Sequence, residues 1–208
     1  MNEKTFRILG IAGSLRSESY NRKLLRAARE LSPEGVEIEI FDLDDIPPYD
    51  QDVEENNEPE IVKEFKDRIR SADALLIATP EYNYSIPGVL KNALDWASRP
   101  ANASVLRHKP IGIMGASTGN FGTARSQLAL RQMFVFTRSY VMVEPELLMF
   151  KAAERFDADG NLIDQQSREM VREVVVELVR WTFRLFPDLE YRRVHLGGER
   201  SSIKLHQN

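Results

Sequence analysis

The sequence predicts an α/β fold, a doubly wound five-stranded parallel sheet with helices on both faces. Three observations carry this. Short apolar runs alternate with stretches of helical periodicity about five times between Phe6 and Phe186. The run Ala74–Ala78 is apolar without interruption, as in a strand buried on both faces. The loops richest in glycine, proline and polar residues follow the first, third and fourth runs. Open α/β sheets bind ligands beyond the carboxyl ends of their strands. Those three loops meet at one place if the strand order is 2-1-3-4-5, in which the first and third strands flank the switch point.

The elements follow in order. Phe6–Ala12 is the first strand, and Gly13–Asn21 a polar loop. Tyr20, Leu24, Leu25, Ala28 and Leu31 recur at helical spacing until Pro33 and Gly35 end the pattern. Val36–Phe41 alternates as a half-buried strand towards the sheet edge. Residues 42–58, with Pro47, Pro48 and a cluster of acids, read as a long loop. Pro59 suits the first turn of a helix carrying Ile61, Val62, Phe65, Ile69 and Ala72. Ala74–Ala78 is the third strand. Its loop, Thr79–Pro87, leads into a helix with Val89, Leu90, Ala93, Leu94 and Ala97 on one face. Lys109–Ala116 is the fourth strand, and Ser117–Thr123 a second glycine-rich loop before a helix through about Phe136. Tyr140–Val143 is a short fifth strand. A turn at Asp157–Asn161 precedes a long helix from about Gln165 to Phe186, which buries Val171, Val174, Val175, Leu178, Thr182 and Leu185. Residues 1–186 therefore read as one domain and 187–208 as a polar tail or arm.

Composition narrows the function. A formal net charge of -4 over 208 residues gives no basic surface for nucleic acid or for an anionic membrane. No apolar run approaches the roughly 20 residues that span a bilayer. The N-terminus enters a strand directly, without a secretory apolar region. Cysteine is absent, which excludes disulfides, thiolate catalysis and cysteine-held clusters or zinc, and which suits a cytoplasmic protein. His108, His195 and His206 lack metal-ligand spacing.

The loop after the first strand carries Gly10-x-x-Gly13-Ser14-Leu15-Arg16, neither a dinucleotide fingerprint nor a P-loop. It offers the hydroxyls of Ser14, Ser17 and Ser19, the amide of Asn21 and the guanidinium of Arg16, beside a helix N-terminus opening near Tyr20. A terminal phosphate needs that many donors, whereas a bridging pyrophosphate is usually held by backbone amides alone. Helix capping by the serines and a solvated Arg16 are the simpler readings of each residue singly. Asp42 could face a dinucleotide ribose, but the glycine pattern that should accompany it is missing. In the third loop, Pro80 and Pro87 stiffen a segment whose tyrosines and amides suit a planar heterocycle. A terminal phosphate at one end and a flat polar ring at the other describe a flavin mononucleotide better than ATP.

The pattern Gly13-Ser14-Leu15-Arg16, Ser19-Tyr20-Asn21, then Pro80-Glu81-Tyr82-Asn83-Tyr84-Ser85-Ile86-Pro87-Gly88-x-Leu90-Lys91-Asn92-x-Leu94-Asp95-Trp96 resembles the NADPH-dependent FMN reductase family, with its flavodoxin-like fold. It is most similar to the bacterial quinone and chromate reductases. The resemblance spans roughly residues 5–150. It implies that the FMN phosphate is held by Ser14, Arg16, Ser19 and Asn21, with Tyr20 also counted among the cofactor-binding residues, and that Pro80, Glu81, Tyr82 and Asn83 border the ring, largely through backbone groups. Ser117, Gly119 and Gly122 would close the far side. It implies further a homodimer or homotetramer, with Arg99 at a position used in interfacial contacts. Hydride would pass from NADPH or NADH to FMN, then two electrons to a small-molecule acceptor such as a quinone, free flavin, azo compound or chromate. No catalytic side chain or metal is expected, because the chemistry is the cofactor's. A flavodoxin-type single-electron carrier and a non-catalytic flavin-binding protein are the alternatives.

Overall fold

The computed structural model describes residues 5–187, so the expected tail, apart from Pro187, lies outside the described residues. The chain runs β1 (Phe6–Ala12), α1 (Tyr20–Glu30), β2 (Val36–Phe41), α2 (Gln51–Asn57), α3 (Glu60–Ser71), β3 (Ala74–Ala78), α4 (Gly88–Ala97), β4 (Pro110–Ala116), α5 (Ala124–Thr137), β5 (Tyr140–Val141), β6 (Leu147–Met149), a 3-10 turn at Ala152–Glu154, and α6 (Gln165–Leu185). The strands are parallel in the order β2-β1-β3-β4-β5, the flavodoxin-like order. Ile8 pairs with Ala74, and Ile77 with Ile113, so the strand tips Ala12, Ala78 and Ala116 end near one level.

Two apolar layers sandwich the sheet. On one face, α1 and α6 pack Leu24, Leu25, Val171, Val174, Val175 and Leu178 against Ile8, Leu76 and Met114. On the other, α3, α4 and α5 pack Phe65, Ile69, Leu90, Leu94, Leu130 and Phe134 against Leu9, Leu75 and Ile113. The valines of α6 are mediocre helix formers, each costing about 0.5 kcal/mol relative to alanine. Burying each contributes about 1.5–3 kcal/mol, so packing rather than propensity holds this helix.

Two expectations need correcting. Residues 42–58 are not all loop, since α2 occupies 51–57. Asp50 caps it by accepting the Asp52 N–H at 2.9 Å, and Asp52 and Glu54 sit favourably on its positive end. It buries no residue, so no apolar period announces it. The fifth strand, expected as Tyr140–Val143, is two short strands. β5 pairs with Pro110 and Ile111, while β6 pairs with Met114, Gly115 and Ala116. Pro145 lies between them, and with no N–H it cannot continue a ladder.

Candidate functional site

Three loops meet beyond the carboxyl ends of β1, β3 and β4, and specific contacts tie each to its neighbours. The β1–α1 loop is joined to β3 by the Gly13 N–H, which donates to the Ala78 carbonyl at 2.9 Å. Asn21 then reaches across to β4. Its Nδ2 donates to the Ala116 carbonyl and its Oδ1 accepts the Ala116 N–H, both at 2.9 Å. That buried pair uses one of the two Nδ2 donors and one oxygen lone pair, and it holds the start of α1 over β4. Ser19 is the N-cap of α1, accepting the Asn21 N–H at 3.3 Å. Ser14 is buried, and its Oγ accepts the Arg16 N–H at 3.4 Å. Arg16 is exposed and spends one donor on the Glu18 carbonyl at 3.1 Å. Tyr20, the first residue of α1, packs its ring against Phe156 with the centroids 5.5 Å apart.

The β3–α4 loop carries a tight hairpin. Tyr82 and Ser85 exchange both backbone bonds, at 3.1 and 2.9 Å, around Asn83 and Tyr84. Both central residues have positive φ, 49° and 66°, as a type I′ turn requires. A tyrosine in that region is uncommon, and its strain must be offset by contacts nearby. Tyr82 Oη lies 3.4 Å from Ser14 Oγ, linking the hairpin to the β1–α1 loop. Glu81, just before the hairpin, faces the other way. Its carboxylate accepts the Arg125 N–H at 2.9 Å, the Ser126 N–H at 3.4 Å and Arg125 Nη1 at 2.6 Å. Thr123, at the N-cap position of α5, makes no capping bond, so Glu81 caps α5 from a distant part of the chain. Thr79 and Ser126, both fully buried, place their hydroxyls 3.0 Å apart and complete the join.

The β4–α5 loop is shaped by two glycines. A Cβ on Gly115 would lie 1.9 Å from Thr123 Oγ1 and 2.5 Å from the Thr79 carbonyl. Gly122 has φ +54°, and a Cβ there would meet the Leu148 backbone at 2.6 Å. Ser117 and Gly119 are fixed from the far side: the Ser117 N–H donates to the Met149 carbonyl at 2.8 Å, and the Gly119 carbonyl accepts the Lys151 N–H at 3.1 Å.

A family model described as NADPH-dependent FMN reductase matches residues 6–154, which hold all three loops. The chain belongs to the NADPH-dependent FMN reductase family. It is 49% identical over 179 residues to an NAD(P)H-dependent FMN reductase of Pseudomonas aeruginosa, covering 86% of this chain and 96% of that one. It is 40% identical over 175 residues to a 2-hydroxy-1,4-benzoquinone reductase of a Burkholderia species, covering 84% and 95%. Among solved structures it resembles FerB, a flavoenzyme NAD(P)H:(acceptor) oxidoreductase from Paracoccus denitrificans, with a TM-score of 0.80 and 34% identity over 86% of this chain and 98% of that one. This FMN reductase is an oxidoreductase using FMN and a nicotinamide co-substrate.

Several residues of the reductase that matter here were invisible in the sequence. Arg125 has its guanidinium carbon 3.9 Å from the Tyr84 ring centre and 4.1 Å from that of Phe121. Arg22 donates to the Leu15 carbonyl at 3.2 Å and pairs with Asp42 and Asp44, which fixes the loop's outer side. Asp42 therefore serves that ion pair rather than standing free for a ribose. Arg99, within the same chain, donates to Glu54 at 3.0 Å. Burial opposes ionisation of Glu54, but hydrogen bonds from Tyr49 and Arg99 outweigh it and lower its pKa. The hydrogen bond to Glu54 in turn raises that of Tyr49. With Asn92 and Trp96 both donating to the Pro47 carbonyl, this network straps residues 47–54 onto α4.

Proposed function

We propose that this FMN reductase holds the FMN phosphate on the β1–α1 loop and the isoalloxazine ring on the Pro80–Asn83 segment. The supporting observation is the convergence of the three loops, cross-tied by Asn21, Tyr82 and Glu81. The donor set fits a terminal phosphate: the Ser14 and Ser19 hydroxyls, the free part of the Arg16 guanidinium and the N-terminus of α1. Asn21 acts by positioning. Backbone groups of Pro80, Glu81, Tyr82 and Asn83 border the ring, and Ser117, Gly119 and Gly122 close its far side. Bound FMN supplies hydride acceptance from NADPH or NADH and delivery of two electrons to a second substrate. The chain's residues orient the two planes, keep the phosphate neutralised and leave one ring face open to both substrates in turn. Acceptors are small molecules: quinones, as the name of the Burkholderia relative suggests for that protein, and also free flavins, azo compounds and chromate.

The catalytic unit is residues 1–186, with 187–208 an appended arm, acting in the cytoplasm as a homodimer or homotetramer. Leu128, Val135, Phe136 and Val143 are 63–83% exposed on and after α5, the kind of apolar surface a second copy covers. No helix among the described residues is long and apolar enough to cross a membrane.

Anaerobic mixing of the FMN-loaded protein with NADPH or NADH should bleach the oxidised flavin absorbance without a protein partner, and a quinone should restore it. Failure with both nicotinamides would return the chain to the electron-carrier reading.

A further inference from the structure

The buried hydroxyls of Thr79 and Ser126 have a polarity that bears on the backbone beside them. Thr79 has one hydroxyl proton, and its Oγ1 donates it to the Pro80 carbonyl at 2.8 Å. Towards Ser126 Oγ, 3.0 Å away, Thr79 Oγ1 can then only accept, so Ser126 is the donor. Both side chains are fully buried, where water does not compete for either bond. The Pro80 carbonyl is thus held towards the interior. The Pro80–Glu81 peptide is trans, and in a trans peptide the N–H points opposite to the carbonyl. The Glu81 N–H is therefore turned away from Thr79, and it bonds no described residue.

The same peptide is held from its other end. The Glu81 carboxylate accepts from the Arg125 side chain and from the N–H groups of Arg125 and Ser126, so the residue cannot swing without uncapping α5. Beyond it, the paired bonds of Tyr82 and Ser85 fix the hairpin. A backbone N–H has no side chain of its own to aim it. Its direction is set through the carbonyl of the same peptide, and here a hydroxyl sets it. A donor fixed in this way favours negative charge placed before it and needs no reorientation when that charge appears. Two-electron reduction of a flavin adds negative charge that spreads over the carbonyl oxygens of its polar edge. An N–H held towards that edge binds the reduced ring more strongly than the oxidised one, whereas a peptide free to rotate loses that preference.

We propose that Thr79 is a positioning residue for the cofactor: its hydroxyl aims the Glu81 N–H at the polar edge of the FMN ring and so raises the reduction potential of bound FMN. This rests on the placement of the ring along Pro80–Asn83, and its test uses neither nicotinamide nor acceptor. The potential of the FMN-loaded protein is measured by chemical reduction against a reference dye. Thr79→Val, similar in shape but without the hydroxyl, should lower it by about 30 mV, equivalent to a tenfold loss of preference for reduced over oxidised FMN. Thr79→Ala, which adds no methyl against Ser126, should give the same shift, and Thr79→Ser should keep the wild-type potential. Ser126→Ala removes a buried hydroxyl but leaves Thr79 its bond to Pro80, so it should lower the melting temperature with the potential near that of the wild type. An unchanged potential without the hydroxyl, an equal shift in Thr79→Ser, or an equal shift in Ser126→Ala would each overturn the proposal. The amide resonance of Glu81 in the wild type should also move when FMN is added. If it stays, the ring lies elsewhere and both the placement and the role of Thr79 fall. If it moves while the potential of Thr79→Val does not, only the role of Thr79 falls.

Discussion

Glu81 offers the sharpest test of how the site is assembled, through Glu81→Gln. Its side chain is about one-tenth exposed and that of Arg125 about one-third, so the pair is partly desolvated. The carboxylate supplies two things. It completes the N-terminus of α5, an interaction of about 0.3–1 kcal/mol at the surface and up to ~2 when partly buried. It also accepts a charge-assisted bond from Arg125, with a net contribution of about 1.5–3 kcal/mol. Glutamine keeps one acceptor oxygen of the same reach, so some bonding survives and only the charge and one bond are lost. Arg125 can rehydrate, which avoids the larger penalty of a sealed orphan charge. The expected destabilisation is about 2 kcal/mol in urea unfolding at pH 7. That corresponds to a fall of about 4–8 °C in Tm for a chain of this size. The β3–α4 loop would lose its register against α5, so FMN affinity should fall by about tenfold in the same variant. A Glu81→Gln protein within 0.5 kcal/mol of wild type would refute the claim that this carboxylate joins the two loops.

Other expectations concern separate parts of the molecule. Arg16→Ala should weaken FMN binding by about 1.5–3 kcal/mol and leave riboflavin binding unchanged; in equilibrium titration, wild-type riboflavin affinity equal to that for FMN would remove the phosphate site. Lys109, whose Nζ donates to the Ala72 carbonyl at 2.6 Å, has its pKa pushed by burial from about 10.5 down to about 8. The unfolded chain thus binds the extra proton between pH 8 and 10.5, and this lysine makes stability rise with pH across that window. Lys109→Met should remove that slope and stabilise the protein at pH 7 by about 1–2 kcal/mol, since relief of about 3 kcal/mol is partly offset by the lost hydrogen bond; pH-dependent urea melts yielding parallel curves for the two proteins would contradict it. Gly122→Ala should cost about 2–4 kcal/mol, combining positive φ with the contact to Leu148, and thermal melts would show it. Light scattering of the FMN-loaded protein should give at least twice 23.9 kDa.

What could be read from the sequence divides along physical lines. Strand order and helix faces were legible because burial imposes a period, and Leu24, Leu25, Val62, Phe65, Leu90, Ala93, Val174 and Leu178 keep it. The segments that misled have no period: α2 buries nothing, and β6 is three residues beyond a proline. Within the site, the motif residues Ser14, Ser19, Glu81 and Tyr82 could be named because loops with donors and aromatics attract attention. Their partners could not. Glu81 meets Arg125 across 44 positions, and Asn21 meets Ala116 across 95. Arg125 in isolation is one surface arginine on a helix four residues after Phe121, and nothing local announces that the Tyr84 ring of the β3–α4 loop lies against it. The sequence showed which chemistry was present, while the sheet order determined which groups became neighbours.

This division bears on why the loops are built as they are. A cofactor held without covalent attachment binds more tightly when its donors are fixed beforehand, because ordering a loop on binding subtracts from affinity. Each loop here is fixed by a contact whose partner lies on another strand tip: Gly13 on Ala78, Asn21 on Ala116, Glu81 on Arg125, Thr79 beside Ser126. The Asn21 amide reads as a phosphate donor in sequence, yet it also holds Ala116, and the Glu81 carboxylate is engaged at the start of α5. Backbone N–H and carbonyl groups are the natural recognition elements for a ring edge with alternating donors and acceptors, and they cannot be retuned by substitution. Arg16, exposed and spending one donor on the Glu18 carbonyl, takes no part in these clasps, so its substitution should weaken FMN binding without loosening the loops. Substitutions at the clasps should therefore alter flavin affinity and stability together.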